Sequence, residues 1–112
     1  MKYRIKSRVW IEVDDNVLLG EGRVRLIKEI EKTGSLSKGA KAMGMSYKKA
    51  WTLIDAINKS AKMPVISMSI GGKGGGGATL TDYGRELVAT FDKINKSCWR
   101  HLDRQVTKIE SL

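Results

Sequence analysis

Ser46, Tyr47, Lys48, Lys49 and Thr52 place hydroxyls and ammonium groups within two helical turns of one another. Ser, Thr and Tyr can donate or accept hydrogen bonds, and Lys reaches a phosphate or a guanine edge. This is the chemistry of reading a polyanion, not of breaking a bond. A second stretch, Gly71-Gly72-Lys73-Gly74-Gly75-Gly76-Gly77, holds six of the chain's 12 glycines around a single cation. It fails as a nucleotide loop: a P-loop needs G-x-x-x-x-G-K-[ST], whereas Lys73 precedes four glycines with no Ser or Thr after it. A hairpin tip that approaches a sugar-phosphate backbone, with Lys73 as its cation, explains the segment better. A tip with no ligand is the plainer alternative.

The remaining reactive side chains are sparse. Cys98 and His101 are the only residues of their types, so neither an intrachain disulfide nor a His/Cys metal site is expected. Cys98 reads as a packing residue and His101 as a surface one. No positioned nucleophile, acid-base pair or ligand cluster stands out, so the expectation is a non-enzyme that needs no cofactor and no metal.

The elements that would carry these residues follow from periodicity. Tyr3, Ile5, Ser7, Val9, Ile11 and Val13 alternate with Arg4, Lys6, Arg8, Trp10 and Glu12, the period of a half-buried strand over residues 3–13. Asp14-Asp15-Asn16 reads as a turn, after which Val17 to Leu19 extends or repeats the strand before Gly20. From Gly22 to Thr33, Val24, Ile27 and Ile30 recur at helical spacing, and Gly34 ends the helix. A short helix capped by Ser37 runs to Met43, and Gly44 stops it. Ser46 caps a third helix reaching about Lys62, which Pro64 cannot continue. Val65 to Ile70 and Ala78 to Leu80 form the strands of a hairpin around the glycines. Thr81 then caps a final helix with Leu87, Phe91, Ile94, Cys98, Leu102, Val106 and Ile109 along one stripe.

Residues 36–57 meet several demands of a helix-turn-helix together. Ala40 is small where two steeply crossed helices touch, and Gly44 tolerates positive φ four positions later. Ala50, Leu53, Ile54 and Ile57 give the third helix an apolar inner face, leaving Ser46, Tyr47, Lys48, Lys49 and Thr52 outward. Trp51 is placed in the core or at its margin. The N-terminal end of such a helix enters the major groove first. Ser37, Lys38, Lys73 and Gly74 complete the candidate DNA-binding set. The bland alternative is a helical hairpin with a lysine-rich solvated face.

Twenty-one Lys and Arg against 12 Asp and Glu give 112 residues a net charge of +9, which draws polyanions. No apolar run is long enough to span a bilayer, and the N-terminus lacks a signal-peptide core, so a cytoplasmic location and no membrane partner are expected. The fold class is α+β and mainly helical: a winged helix-turn-helix with an N-terminal strand, a glycine-rich β-hairpin wing and a long C-terminal helix. One domain is expected over 1–112, with the helix-turn-helix at 36–57, the wing at 65–80 and a dimerisation helix at 82–110. Phe91, Ile94, Cys98, Leu102, Val106 and Ile109 are the candidate dimer interface, against the alternative that the helix folds back on its own domain.

The runs Gly34-Ser-Leu-Ser-Lys-Gly-Ala-Lys-Ala-Met-Gly-Met-Ser-Tyr-Lys-Lys-Ala-Trp51, Gly71 to Ala78, Leu80-Thr81 and Gly84-Arg85-Glu86-Leu87 resemble the N-terminal DNA-binding domain of ModE-type molybdate-responsive regulators. More distantly, the chain is similar to the winged helix of LysR-type regulators. The resemblance implies a homodimer that binds double-stranded DNA at a palindromic operator and regulates transcription. Such regulators usually continue into a molybdate-binding domain. The chain ends at Leu112, so no molybdate site is expected in it. The competing functions are an architectural protein that coats DNA with low sequence specificity, a phosphate-binding enzyme using the glycine loop, and a protein-protein module on the long helix.

Overall fold

The computed structural model describes residues 1–69 and 77–112. The chain is α+β and mainly helical. Its elements, in order, are β1 (Trp10–Val13), β2 (Asn16–Gly20), α1 (Glu21–Thr33), α2 (Leu36–Ala42), α3 (Tyr47–Ser60), β3 (Ile66–Met68), β4 (Ala78–Leu80) and α4 (Asp82–Glu110). The arrangement is consistent with a winged helix-turn-helix.

The first hairpin turns on Asp14 and Asp15, at φ 49 and 66. Positive φ at both central residues of a two-residue loop matches the right-handed twist of the flanking strands. The pairing shifts register between Ile11 and Glu12, which face Leu19 and Val17 respectively. The extra residue, Leu18, bulges, so Leu18 and Leu19 are both buried although adjacent strand residues ordinarily point to opposite faces. The expected strand over residues 3–13 is corrected to Trp10–Val13. Trp10 pairs with Gly20, and the next residue begins α1, so β2 offers nothing for earlier residues to pair with. Alternation persists without pairing: Ile5, Ser7 and Val9 are half-buried, while Lys2, Arg4, Lys6 and Arg8 are exposed.

Helix α1 turns Val24, Leu26, Ile27 and Ile30 inward and ends on Gly34 at φ 70, whose N–H bonds Ile30 O at 2.7 Å. Ser35, not Ser37, caps α2 by accepting from Lys38 N at 3.1 Å. Starting the helix at Leu36 buries that side chain and leaves Ser37 exposed within the first turn. The turn to α3 satisfies the end of α2 with paired backbone bonds, Met45 N to Ala40 O and Gly44 N to Lys41 O, both 3.0 Å. That pattern needs a left-handed residue between them, and Gly44 supplies it at φ 66. Ser46 caps α3 through Lys49 N. The helix ends at Ser60 rather than near Lys62, because Ala61 is already extended.

The core draws on both hairpins and on every helix. Leu19, Leu26, Ile27, Ile30, Ala50, Ile54 and Ile57 are fully covered, and Val65, Ile66, Ala78, Leu80, Val88 and Phe91 close it from the β3–β4 side. Thr81 caps α4 through Gly84 N at 2.9 Å while donating its hydroxyl to Pro64 O at 2.7 Å. Gly84 lies so near Val65 O and Leu80 that a Cβ would overlap both. Phe91 is 2% exposed and belongs to the chain's own core, which corrects its assignment to a dimer interface. It falls on the helical turn that still lies over the domain. Beyond it no residue of α4 is fully buried.

Candidate nucleic-acid interface

The α2–α3 corner is held from beneath. Gly39 of α2 meets α1 so closely that a Cβ would stand 2.7 Å from Ile30 Cγ1 and 3.1 Å from Ile30 N. The close approach to α1 therefore falls at Gly39, next to the Ala40 picked out from the sequence. Ala40 is itself 1% exposed. A glycine inside a helical pattern was the available signal. From α3, Ala50, Ile54 and Ile57 enter the core at 0% exposure, which fixes which face of α3 looks outward.

That outward face carries Tyr47, Lys48, Lys49 and Thr52, all exposed, with Ser46 exposed at its cap and Ser37 and Lys38 exposed on α2. Among the described residues, Lys38, Lys48 and Lys49 make no ion pair; the pairs recorded are Lys28–Asp92, Lys59–Asp55, and Arg85 with Glu31 and Asp82. Their charge is therefore available to an incoming anion. The hydroxyls differ in what they offer. Ser46 Oγ accepts from Lys49 N and keeps its own proton to donate. Thr52 Oγ1 donates to Lys48 O at 2.9 Å, leaving its lone pairs and methyl group outward. Lys73 and Gly74 lie outside the described residues.

Trp51, expected in the core or at its margin, lies outside the fully buried core. It is 43% exposed, and Tyr47, one turn earlier, is 56% exposed. Its ring is thus partly covered and partly open, at the edge of the α3 face that enters the core.

Asn58 is a site residue that the sequence reading missed. Its amide donates to Ile66 O at 2.9 Å, and its carbonyl accepts from Val65 N at 2.8 Å and Ile66 N at 3.1 Å. From the other side, Ala78 N bonds Gly34 O and Thr81 N bonds Val65 O, both at 3.0 Å. The base of the β3–β4 hairpin is thus tied to α3, to the end of α1 and to the start of α4. An Asn on the flank of a helix gives no local sign of such a partner.

At the other end, Ile94 and Ile109 are 46% and 40% exposed, and Cys98, Leu102 and Val106 are half-buried. Cys98 Sγ lies 3.9 Å from Ser7 Oγ, so the N-terminal segment covers α4 at that turn. Among the described residues no group of three His, Cys, Asp or Glu could hold a metal ion, and no helix is long and apolar enough to cross a membrane.

No family model matches the chain. Individual relatives do. Molybdenum transport protein ModE of Azotobacter vinelandii is 39% identical over 101 residues, covering 90% of this chain and 37% of the relative. DNA-binding transcriptional dual regulator ModE of Escherichia coli (strain K12) is 46% identical over 72 residues, 64% of this chain and 28% of the relative. Molybdenum-pterin-binding protein MopB of Rhodobacter capsulatus is 43% identical over 76 residues, 68% of this chain and 28% of the relative. The chain spans 27–37% of the length of such curated relatives, consistent with correspondence to an N-terminal domain. Over 64–90% of its own length, the chain is homologous to the ModE-type regulators and matches a fragment of each.

Proposed function

We propose that the chain is a sequence-specific, DNA-binding regulator of transcription that acts as a dimer. One winged helix-turn-helix unit spans 1–112, with α2 and α3 in the motif at 36–57, the hairpin at 65–80 as the wing, and 82–110 as the dimerisation helix. Ser46, Tyr47, Lys48, Lys49 and Thr52 meet base edges and flanking phosphates in the major groove. Ser37 and Lys38 contact the backbone beside them, and Lys73 with Gly74 does so from the wing. The observation that carries this reading is the α2–α3 corner: an exposed cationic helix end set on a fully covered core face. Homologues named as transcriptional regulators support it.

The dimer rests on α4. Its 29 residues extend about 43 Å at 1.5 Å per residue. The radius of gyration is 17.0 Å, against about 13 Å for a compact domain of this size. The N-terminal segment covers part of the stripe at Cys98, but the stripe of Ile94, Cys98, Leu102, Val106 and Ile109 continues past it, and a second copy supplies the rest of the cover. Two-fold symmetry would set two α3 helices about one DNA turn apart on a palindromic operator.

Selection of bound sites from random duplex DNA tests the reading as a whole. An enriched palindrome, bound in the presence of excess random duplex, is the expected result. Binding that random duplex competes away equally would instead indicate a DNA-coating protein.

A further inference from the structure

Tyr47 and Trp51 stand four residues apart on α3, 56% and 43% exposed, on a surface otherwise furnished by Lys48, Lys49 and Thr52. At 100° per residue the two rings share one stripe, and Asn58, seven residues beyond Trp51, continues it. Asn58 bonds the backbone of Val65 and Ile66, so this stripe is the flank of α3 that looks toward the β3–β4 hairpin. Lys48 and Thr52 lie further round, facing outward. The corner thus presents two kinds of surface: a cationic front, and an aromatic flank whose two rings each keep about half of their surface exposed.

A helix about 10–12 Å across fills a major groove about 12 Å wide, so its flanks as well as its front meet the DNA. The cations call for a polyanion, and the apolar group that this polyanion displays in its major groove is the C5-methyl of thymine. Resting on the DNA-binding reading above, we propose that Tyr47 and Trp51 form an apolar contact with thymine methyl groups on the hairpin side of the groove. Trp51 thereby becomes a specificity-determining residue, reading shape and apolarity where the lysines read charge.

The test uses the best duplex from random selection, with each thymine replaced singly by deoxyuridine. That change removes the methyl and leaves base pairing intact. Uracil at one or two thymines of each half-site should weaken wild-type binding by about three- to five-fold, the worth of one buried methyl. The same replacements should be silent in Trp51→Ala or Tyr47→Ala, each variant's folding being checked by its thermal midpoint. Selective wild-type binding with no uracil penalty at any thymine would overturn the proposal while leaving DNA binding intact. So would a penalty that persists undiminished in both variants, or a loss in both variants that is equal on every sequence. Failure of the wild type to select any duplex would overturn the DNA-binding reading itself.

Discussion

The α2–α3 corner and the distal half of α4 are both amphipathic, yet only at the corner is the apolar face fully covered among the described residues. At the corner, Ala50, Ile54 and Ile57 are fully covered and the remaining face carries cations, hydroxyls and two aromatic rings. On α4 beyond Phe91, the apolar stripe is half-covered at best, and Ile94 and Ile109 are among the exposed large hydrophobic residues. Exposure therefore means different things at the two ends. Polar groups left outward over a finished core cost the fold nothing, and the proposed DNA contact would use them. Apolar groups left partly outward along a protruding helix are what the proposed second copy would cover.

The difference is broken most severely by making the α4 stripe polar. Ile94→Gln with Leu102→Gln keeps good helix formers at positions that contribute little to the monomer's core. The thermal midpoint of the monomer should hold within a few degrees, while sedimentation shifts to a monomer. Affinity for a two-half-site duplex should fall by about 10²- to 10⁴-fold, toward that for a half-site, as the linked second contact is lost. A wild type that sediments as a monomer both free and on DNA would remove the dimer.

At the corner the large effect is on stability instead. Ile54→Ala should destabilise the fold by about 2–5 kcal/mol, the range for emptying a covered aliphatic site, measured by denaturant unfolding. A cost below 1 kcal/mol would mean that the core beneath α3 is not the support described above. A smaller loss, about 1–3 kcal/mol, is expected for Asn58→Ala, which leaves Val65 N, Ile66 N and Ile66 O without their side-chain partner. Asn58→Asp keeps the acceptor and loses the donor, so it should fall between the wild type and Ala.

What could be read from the chain depended on how locally each feature is decided. Gly34 and Gly44 as helix stops, Ser46 and Thr81 as caps, and the outward set on α3 all follow from bonds or spacing within a few residues, and all are present. The misreadings involve partners distant in sequence. Residues before Trp10 alternate like a strand, but β2 has already ended opposite them. Ser37 is as good a cap as Ser35 until the burial of Leu36 decides between them. Phe91 and Ile94 sit on the same stripe, and only the reach of the domain over α4 separates core from surface. For Trp51 the choice between the core and its margin stayed open in the sequence, and its 43% exposure decides for the margin.

Lys73 brings the smallest change, and it sharpens the contrast between reading charge and reading bases. It stands in a glycine run that leaves its ammonium group with few side-chain neighbours in sequence, so its expected role is one phosphate contact. Each neutralised phosphate releases condensed counterions, and the slope of log K against log salt scales at roughly 0.9 per contact. Lys73→Ala should therefore reduce that slope by about one and weaken specific and random duplexes alike. Tyr47→Ala should do the opposite, costing about 1 kcal/mol on the preferred site and little on random DNA, with the slope unchanged. Measuring both variants across a salt titration separates the two kinds of contact. A Lys73→Ala loss confined to the preferred site would place that lysine among the base-reading residues and leave the backbone contact to other cations.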